Sequence, residues 1–220
     1  MFTRWKQKSI HFFTGQFQVL TFSMLILLIV SPYFRQTLIG VWSMSILYSL
    51  ILLAAIYSLK EKKHNLIFFS SLALIYILVS LTEFVWTSVY LELFKNVLLI
   101  VFGITSTVAI YTDIAATQEV KTDTYFAAIS VYLLIGITYG TIYSLVEFLA
   151  PGSFVYQYTH LVSSDLRSEL IYYSFITLTT VGYGDIVVVS AYAKPFVILE
   201  SITGIFYLAM LVARLVATRK

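Results

Sequence analysis

Cysteine is absent from this chain, which excludes disulfides, thiol catalysis and cysteine-ligated zinc or iron–sulfur centres. Charge is almost as scarce. Only 11% of the 220 residues are Asp, Glu, Lys or Arg, against about 25% in an ordinary soluble domain. Histidine occurs three times, at His11, His64 and His160. These are too scattered to announce a metal site, and each reads as an interfacial or loop residue. No nucleophile elbow, phosphate-binding loop or metal-ligand cluster appears, so no enzyme chemistry is expected. Internal repeats are also missing, which argues against a secondary transporter built from paired halves.

Apolar surface is what the chain does have. Sixty per cent of it is hydrophobic, and its mean hydropathy is +0.89. A core of this size cannot bury so much, so the surplus must face lipid. A helix crossing a bilayer needs about 20 mostly apolar residues. Six candidate segments run near Phe17–Val30, Leu38–Leu59, Leu66–Thr82, Ser88–Thr112, Tyr125–Leu149 and Ala193–Val216. The long connection Ala150–Tyr192 separates the last two, and its apolar stretch Leu170–Leu178 is too short to span. The expected fold is an all-α membrane protein with six transmembrane helices.

The basic residues report orientation. With a cytoplasmic N-terminus, the inner side holds Arg4, Lys6, Lys8, Lys60, Lys62, Lys63, Lys121, Arg214, Arg219 and Lys220. The outer side holds only Arg35, Arg167 and Lys194, and Lys95 lies within a helix. The excess favours both termini inside, with the long connection entering from outside. Arg4, Lys6 and Lys8 precede the first segment as they would in a signal peptide. However, Ser31-Pro32-Tyr33-Phe34 offers no small-residue cleavage site, so retention is expected. Phe2, Trp5, Ile10, Phe12 and Phe13 interleave with Arg4, Lys6, Lys8 and His11. That pattern fits either an amphipathic segment in the headgroup layer or an extension of the first helix.

The informative stretch is Tyr172-Tyr173-Ser174-Phe175-Ile176-Thr177-Leu178-Thr179-Thr180-Val181-Gly182-Tyr183-Gly184-Asp185-Ile186. An ion entering a narrow pore must exchange its water for oxygen dipoles. Backbone carbonyls supply them if the strand turns them all to one side. Such a backbone alternates between right- and left-handed wells, and Gly182 and Gly184 reach the left-handed ones at little steric cost. Val181 and Tyr183 then point outward and hold the loop by packing. Irregular backbone at membrane depth is tolerated only when buried in protein or lining a water-filled path. A short re-entrant helix over Ser168–Thr179 would stand behind the loop, its negative C-terminal end favouring a cation.

With Thr180-Val181-Gly182-Tyr183-Gly184-Asp185 the sequence resembles the potassium channel superfamily, whose TVGYG loops form carbonyl-ring selectivity filters. The resemblance to the pore module covers about Tyr125–Lys220, while the first four segments match only in number and topology. It implies a six-transmembrane, one-pore subunit of bacterial type. The implied domains are an interfacial segment at 1–16, a four-helix peripheral domain at 17–122 and a pore domain at 123–220. It further implies potassium coordination by Thr180, Val181, Gly182 and Tyr183, with Thr180 also using its hydroxyl. Gly184, Asp185 and Thr179 would support the filter, Tyr172 and Tyr173 would form an aromatic cuff around it, and Glu147 would brace the outer vestibule. Gly204 falls where family members have a hinge glycine, although glycine also permits close helix packing. Ile205, Leu208 and Val212 match cavity-facing positions, and with Leu215 or Val216 they could make a constriction that closes by dewetting.

One loop supplies one wall, so the expected partners are three identical subunits and membrane lipid, with no nucleic acid and no soluble substrate. Potassium ions in the filter are the only bound species expected, and no organic cofactor is. A voltage sensor needs several arginines on the fourth segment. Here that segment has only Lys95 and Glu92, expected to pair locally, so steep voltage gating is not expected. No soluble ligand-binding domain is foreseen after the sixth segment, where Arg214, Arg219 and Lys220 would meet anionic lipid. Glu200 is the remaining intramembrane charge. It would either brace the filter through a pore-helix hydroxyl such as Thr177 or Thr179, or form a ring of carboxylates on the cavity. A non-selective cation channel, or a subunit of a hetero-tetramer, is the alternative function.

Overall fold

The computed structural model describes residues 15–33, 38–59, 63–82, 88–117, 120–157 and 166–217. The amphipathic N-terminal stretch, His11, His160, Arg219 and Lys220 lie outside them. So do the side chains of Lys63, His64 and Leu215.

Long apolar runs with few breakers make helices. In chain order they are α1 (Gln16–Val30), α2 (Leu38–Ser58), α3 (Lys63–Thr82), α4 (Val89–Ala116), α5 (Thr122–Leu149), α6 (Leu166–Leu178) and α7 (Lys194–Ala217). A turn of 3-10 helix, Ser31–Tyr33, extends α1. Among the described residues, four stretches are long and apolar enough to cross a membrane: Gln16–Tyr33, Val89–Ala116, Thr122–Leu149 and Lys194–Arg214. Within α2 and α3 the apolar runs are shorter, Trp42–Ser58 and Leu66–Thr82. At 28 residues each, α4 and α5 reach about 42 Å, more than the hydrocarbon thickness of about 30 Å.

Two short strands were not foreseen from the helical pattern. β1 (Phe154–Tyr156) and β2 (Ile186–Val188) pair antiparallel, with Phe154 opposite Val188 and Tyr156 opposite Ile186. They flank the segment that holds α6 and the loop after it, so its two ends are tied together.

α4 turns directly back along α5 through the short connection at 117–121, and α1 also packs on α5. α1 and α4 therefore lie against α5 of their own chain, with α2 packed on α1 and α3 packed between α2 and α4. Gly103 makes the α4–α5 approach close, because a Cβ there would sit 2.1 Å from the Thr138 hydroxyl. Small residues at such crossings let backbones approach. Polar ties complete the junction. The Thr21 hydroxyl donates to the Phe126 carbonyl at 3.1 Å and lies 2.8 Å from the Ser130 hydroxyl. The main core gathers Leu20, Met24, Tyr76, Phe102, Val131 and Leu134 from α1, α3, α4 and α5.

Candidate functional site

α6 is a 13-residue helix packed between α5 and α7. Two glycines seat it on α5. A Cβ at Gly140 would fall 2.7 Å from Cα of Ile171, and one at Gly136 would fall 2.6 Å from the Phe175 ring. A third glycine seats α7 on the end of α6. A Cβ at Gly204 would meet Leu178 Cδ1 at 2.8 Å and the Leu178 carbonyl oxygen at 2.9 Å.

The chain leaves α6 through a tight set of bonds. Thr180 N donates to the Thr177 carbonyl at 3.0 Å, and Val181 N and Gly182 N both donate to the Ile176 carbonyl at 2.9 and 3.1 Å. These bonds satisfy carbonyls that a helix end otherwise orphans. Then the backbone alternates. φ is +61° at Thr180, +52° at Gly182 and +77° at Gly184. Every second residue is left-handed, so successive carbonyls turn toward one side instead of alternating as in a strand. Among the described residues no amide or hydroxyl donates to the carbonyls of residues 179–184. Glycine reaches these wells freely, but Thr180 does so at a cost of about 1–2 kcal/mol. Sequence reasoning placed the glycines here and missed the threonine.

Asp185 fastens the far end of the loop. Its Oδ2 accepts from the Tyr172 hydroxyl at 2.7 Å and its carbonyl from Gln157 N at 2.9 Å. Burial, and then the bond to Asp185, push the Tyr172 phenol up to about 12, so it remains a donor at neutral pH. Glu147, at the end of α5, accepts from Gly152 N at 2.7 Å and Phe154 N at 3.0 Å. It thereby fixes the turn into β1.

Glu200 is fully buried on α7. The Ser174 and Tyr143 hydroxyls hydrogen-bond its two carboxyl oxygens, joining α7 to α6 and α5. Neither expected partner, Thr177 nor Thr179, takes this place. Ser174 is the hydroxyl on the face of α6 turned to α5 and α7, while the Thr179 hydroxyl donates back to the Phe175 carbonyl at 2.6 Å. No ring of carboxylates on a cavity fits a fully buried side chain. Ser174 and Tyr143 were the residues that sequence reasoning missed, because a hydroxyl in an apolar run signals nothing until its carboxyl partner has been placed.

The other expected residues separate by face. Tyr172 is half-exposed beside the loop, whereas Tyr173 turns away and packs edge-on against Tyr143 and Phe154, with ring centroids at 5.4 and 5.3 Å. Adjacent residues of a helix cannot share a face. On α7, Glu200, Gly204 and Tyr207 form the buried stripe, and the Tyr207 hydroxyl donates to the Ala128 carbonyl at 2.7 Å. Ile205, Leu208 and Val212 lie on the exposed flank. In the loop, Val181 and Tyr183 are also exposed, at 50% and 73%. Glu92 and Lys95 do not share a surface as expected: Glu92 is exposed, and Lys95 is buried beside Asn96.

With this geometry in place, the comparison with known families is direct. Residues 131–218 match a protein family described as an ion channel. The match begins within α5 and takes in α6, the alternating loop and α7. It leaves the first four helices unmatched. No curated protein and no solved structure gives a significant match to the chain.

Proposed function

We propose that this chain is one subunit of a homotetrameric, potassium-selective channel that carries potassium passively through a cell membrane. The observation that carries the reading is the loop after α6. Its backbone is left-handed at every second residue, and its carbonyls accept no bond among the described residues. Uncompensated carbonyls at membrane depth are costly unless water or a cation meets them. A ring of them replaces the hydration of a potassium ion. Thr180, Val181, Gly182 and Tyr183 then coordinate the ion, and Asp185, Tyr172 and Glu147 hold the loop open.

A single loop cannot close a ring, so four copies meet around an axis. In one chain Val181 and Tyr183 stand exposed, as expected of side chains that pack against a neighbouring copy. Ile205, Leu208 and Val212 then line the cavity below the filter. All six long helices cross the membrane, with both termini cytoplasmic by the distribution of basic residues. α4 carries one buried lysine and no arginine, so the peripheral helices do not act as a steep voltage sensor.

The test is ion flux into liposomes that contain only the purified protein. Potassium flux should exceed sodium flux and vanish in Gly182→Ala, whose left-handed backbone a side chain opposes. Equal potassium and sodium flux would favour the non-selective reading. Flux that appears only with a second chain would favour a hetero-tetramer.

A further inference from the structure

We infer that Glu200 is a neutral carboxylic acid, and that its own proton completes a directed chain of hydrogen bonds positioning the pore-lining helix against α6 and α5. The inference deepens the channel reading above, on which its functional meaning rests.

The argument is a count of protons. Three polar contacts meet at this point. The Ser174 hydroxyl lies 2.7 Å from the Gly136 carbonyl oxygen. The same hydroxyl reaches one carboxyl oxygen of Glu200, and the Tyr143 hydroxyl reaches the other. A hydroxyl carries one proton, and a carbonyl only accepts. Were Glu200 ionised, Ser174 and Tyr143 would bring two protons to three contacts. One pair of oxygens would then face each other with nothing between them. If Glu200 is an acid, all three contacts are bonds. Tyr143 donates to one Glu200 oxygen, the other Glu200 oxygen donates to Ser174, and Ser174 donates to Gly136.

The surroundings agree with the count. Glu200 and Ser174 are both fully buried, as is Tyr143. The titratable groups that face Glu200 across α5 and α6 are the phenols Tyr132, Tyr143 and Tyr173. Neither bonded partner is a cation. A buried carboxylate with no cation partner is among the most expensive groups in a protein interior. A neutral acid has no such cost and donates one bond more. The chain has a direction, running from α5 through α7 to α6 and back to α5. It closes one turn of α7 away from Gly204, where α7 touches the carbonyl at the end of α6.

Glutamine reproduces this pattern, since its amide donates where the acid donates and accepts where the acid accepts. The experiment is infrared spectroscopy of reconstituted wild-type protein and Glu200→Gln at pH about 7, where an exposed glutamate with a pKa of about 4.3 is ionised. The wild type should show a protonated-carboxyl stretch that the variant lacks. The unfolding equilibrium constant of Glu200→Gln should stay within about twofold of wild type, whereas Glu200→Ala, which strands both hydroxyls, should raise it about tenfold or more. If Glu200→Gln fails to assemble, Ser174→Ala serves instead and must shift the wild-type band. Absence of the band in wild type overturns the inference, and so does a Glu200→Gln protein as unstable as Glu200→Ala. Infrared spectra need no ion flux. A protein that shows the band but conducts nothing refutes the channel reading alone, and a conducting protein without the band refutes only the proton.

Discussion

Gly204→Ala separates two physical roles for one residue, because they predict opposite signs. In the packing role, the added Cβ meets the Leu178 carbonyl oxygen at 2.9 Å and Leu178 Cδ1 at 2.8 Å, where ordinary contact begins near 3.4 Å. The side-chain carbon can swing away. The carbonyl cannot, since it terminates α6 and leads straight into the alternating loop. α7 must therefore back off by about half an ångström, and overpacking of this kind costs about 1–3 kcal/mol. Because backbone and side chain are struck together, the upper half of that range applies. Replacing a helical glycine by alanine returns about 1 kcal/mol. The net expectation is a loss of about 1–2 kcal/mol per chain, which the proposed tetramer would multiply by four. In the hinge role there is no clash, and the variant should instead gain about 1 kcal/mol while changing only its opening. Reversible denaturation in detergent, with potassium held constant, reads the sign directly. Leu178→Ala in the same background should recover part of the loss, because it removes the Cδ1 contact and leaves the carbonyl. A Gly204→Ala protein more stable than wild type would falsify the packing argument.

Three further perturbations probe the rest of the site. Tyr172→Phe removes the donor to Asp185 and should cost about 1 kcal/mol, less than the ~1.5–3 of a buried charged bond because both groups lie near solvent. It should appear as faster loss of potassium conduction during sustained flux. The phenol is raised from about 10 to about 12, so the contribution of this bond is full below pH about 10 and is lost as pH rises through about 12. Wild-type conduction that tracked a Tyr172-dependent titration near neutrality would contradict this. Glu147→Ala strands the amides of Gly152 and Phe154 at the entry to β1, for about 1–3 kcal/mol. Glu147→Gln, which keeps one acceptor oxygen, should lose about half as much by the same denaturation assay. Lys95→Gln should leave the voltage dependence of opening shallow and unchanged in patch recordings, because one charge supplies only about 2.3 kcal/mol per 100 mV.

Composition and local pattern decided a great deal by themselves. Scarce charge and long apolar runs dictate membrane helices, because no water-filled surface could repay their exposure. Gly182 and Gly184, two residues apart, announce an alternating backbone, because that handedness is a local property of single residues. The turn that Glu147 braces spans only five to seven residues, a local separation. What the sequence could not settle is what depends on distant segments meeting. Nothing local distinguishes Tyr172 from Tyr173, yet one faces the loop and the other the core. β1 and β2 exist only because they pair across the whole insertion. Thr180 becomes left-handed because Ile176 captures the amides that follow it. The partners of Glu200 come from positions 57 and 26 residues away. A hydrogen bond between helices depends on which faces meet, and only packing α5 and α7 around α6 decided that.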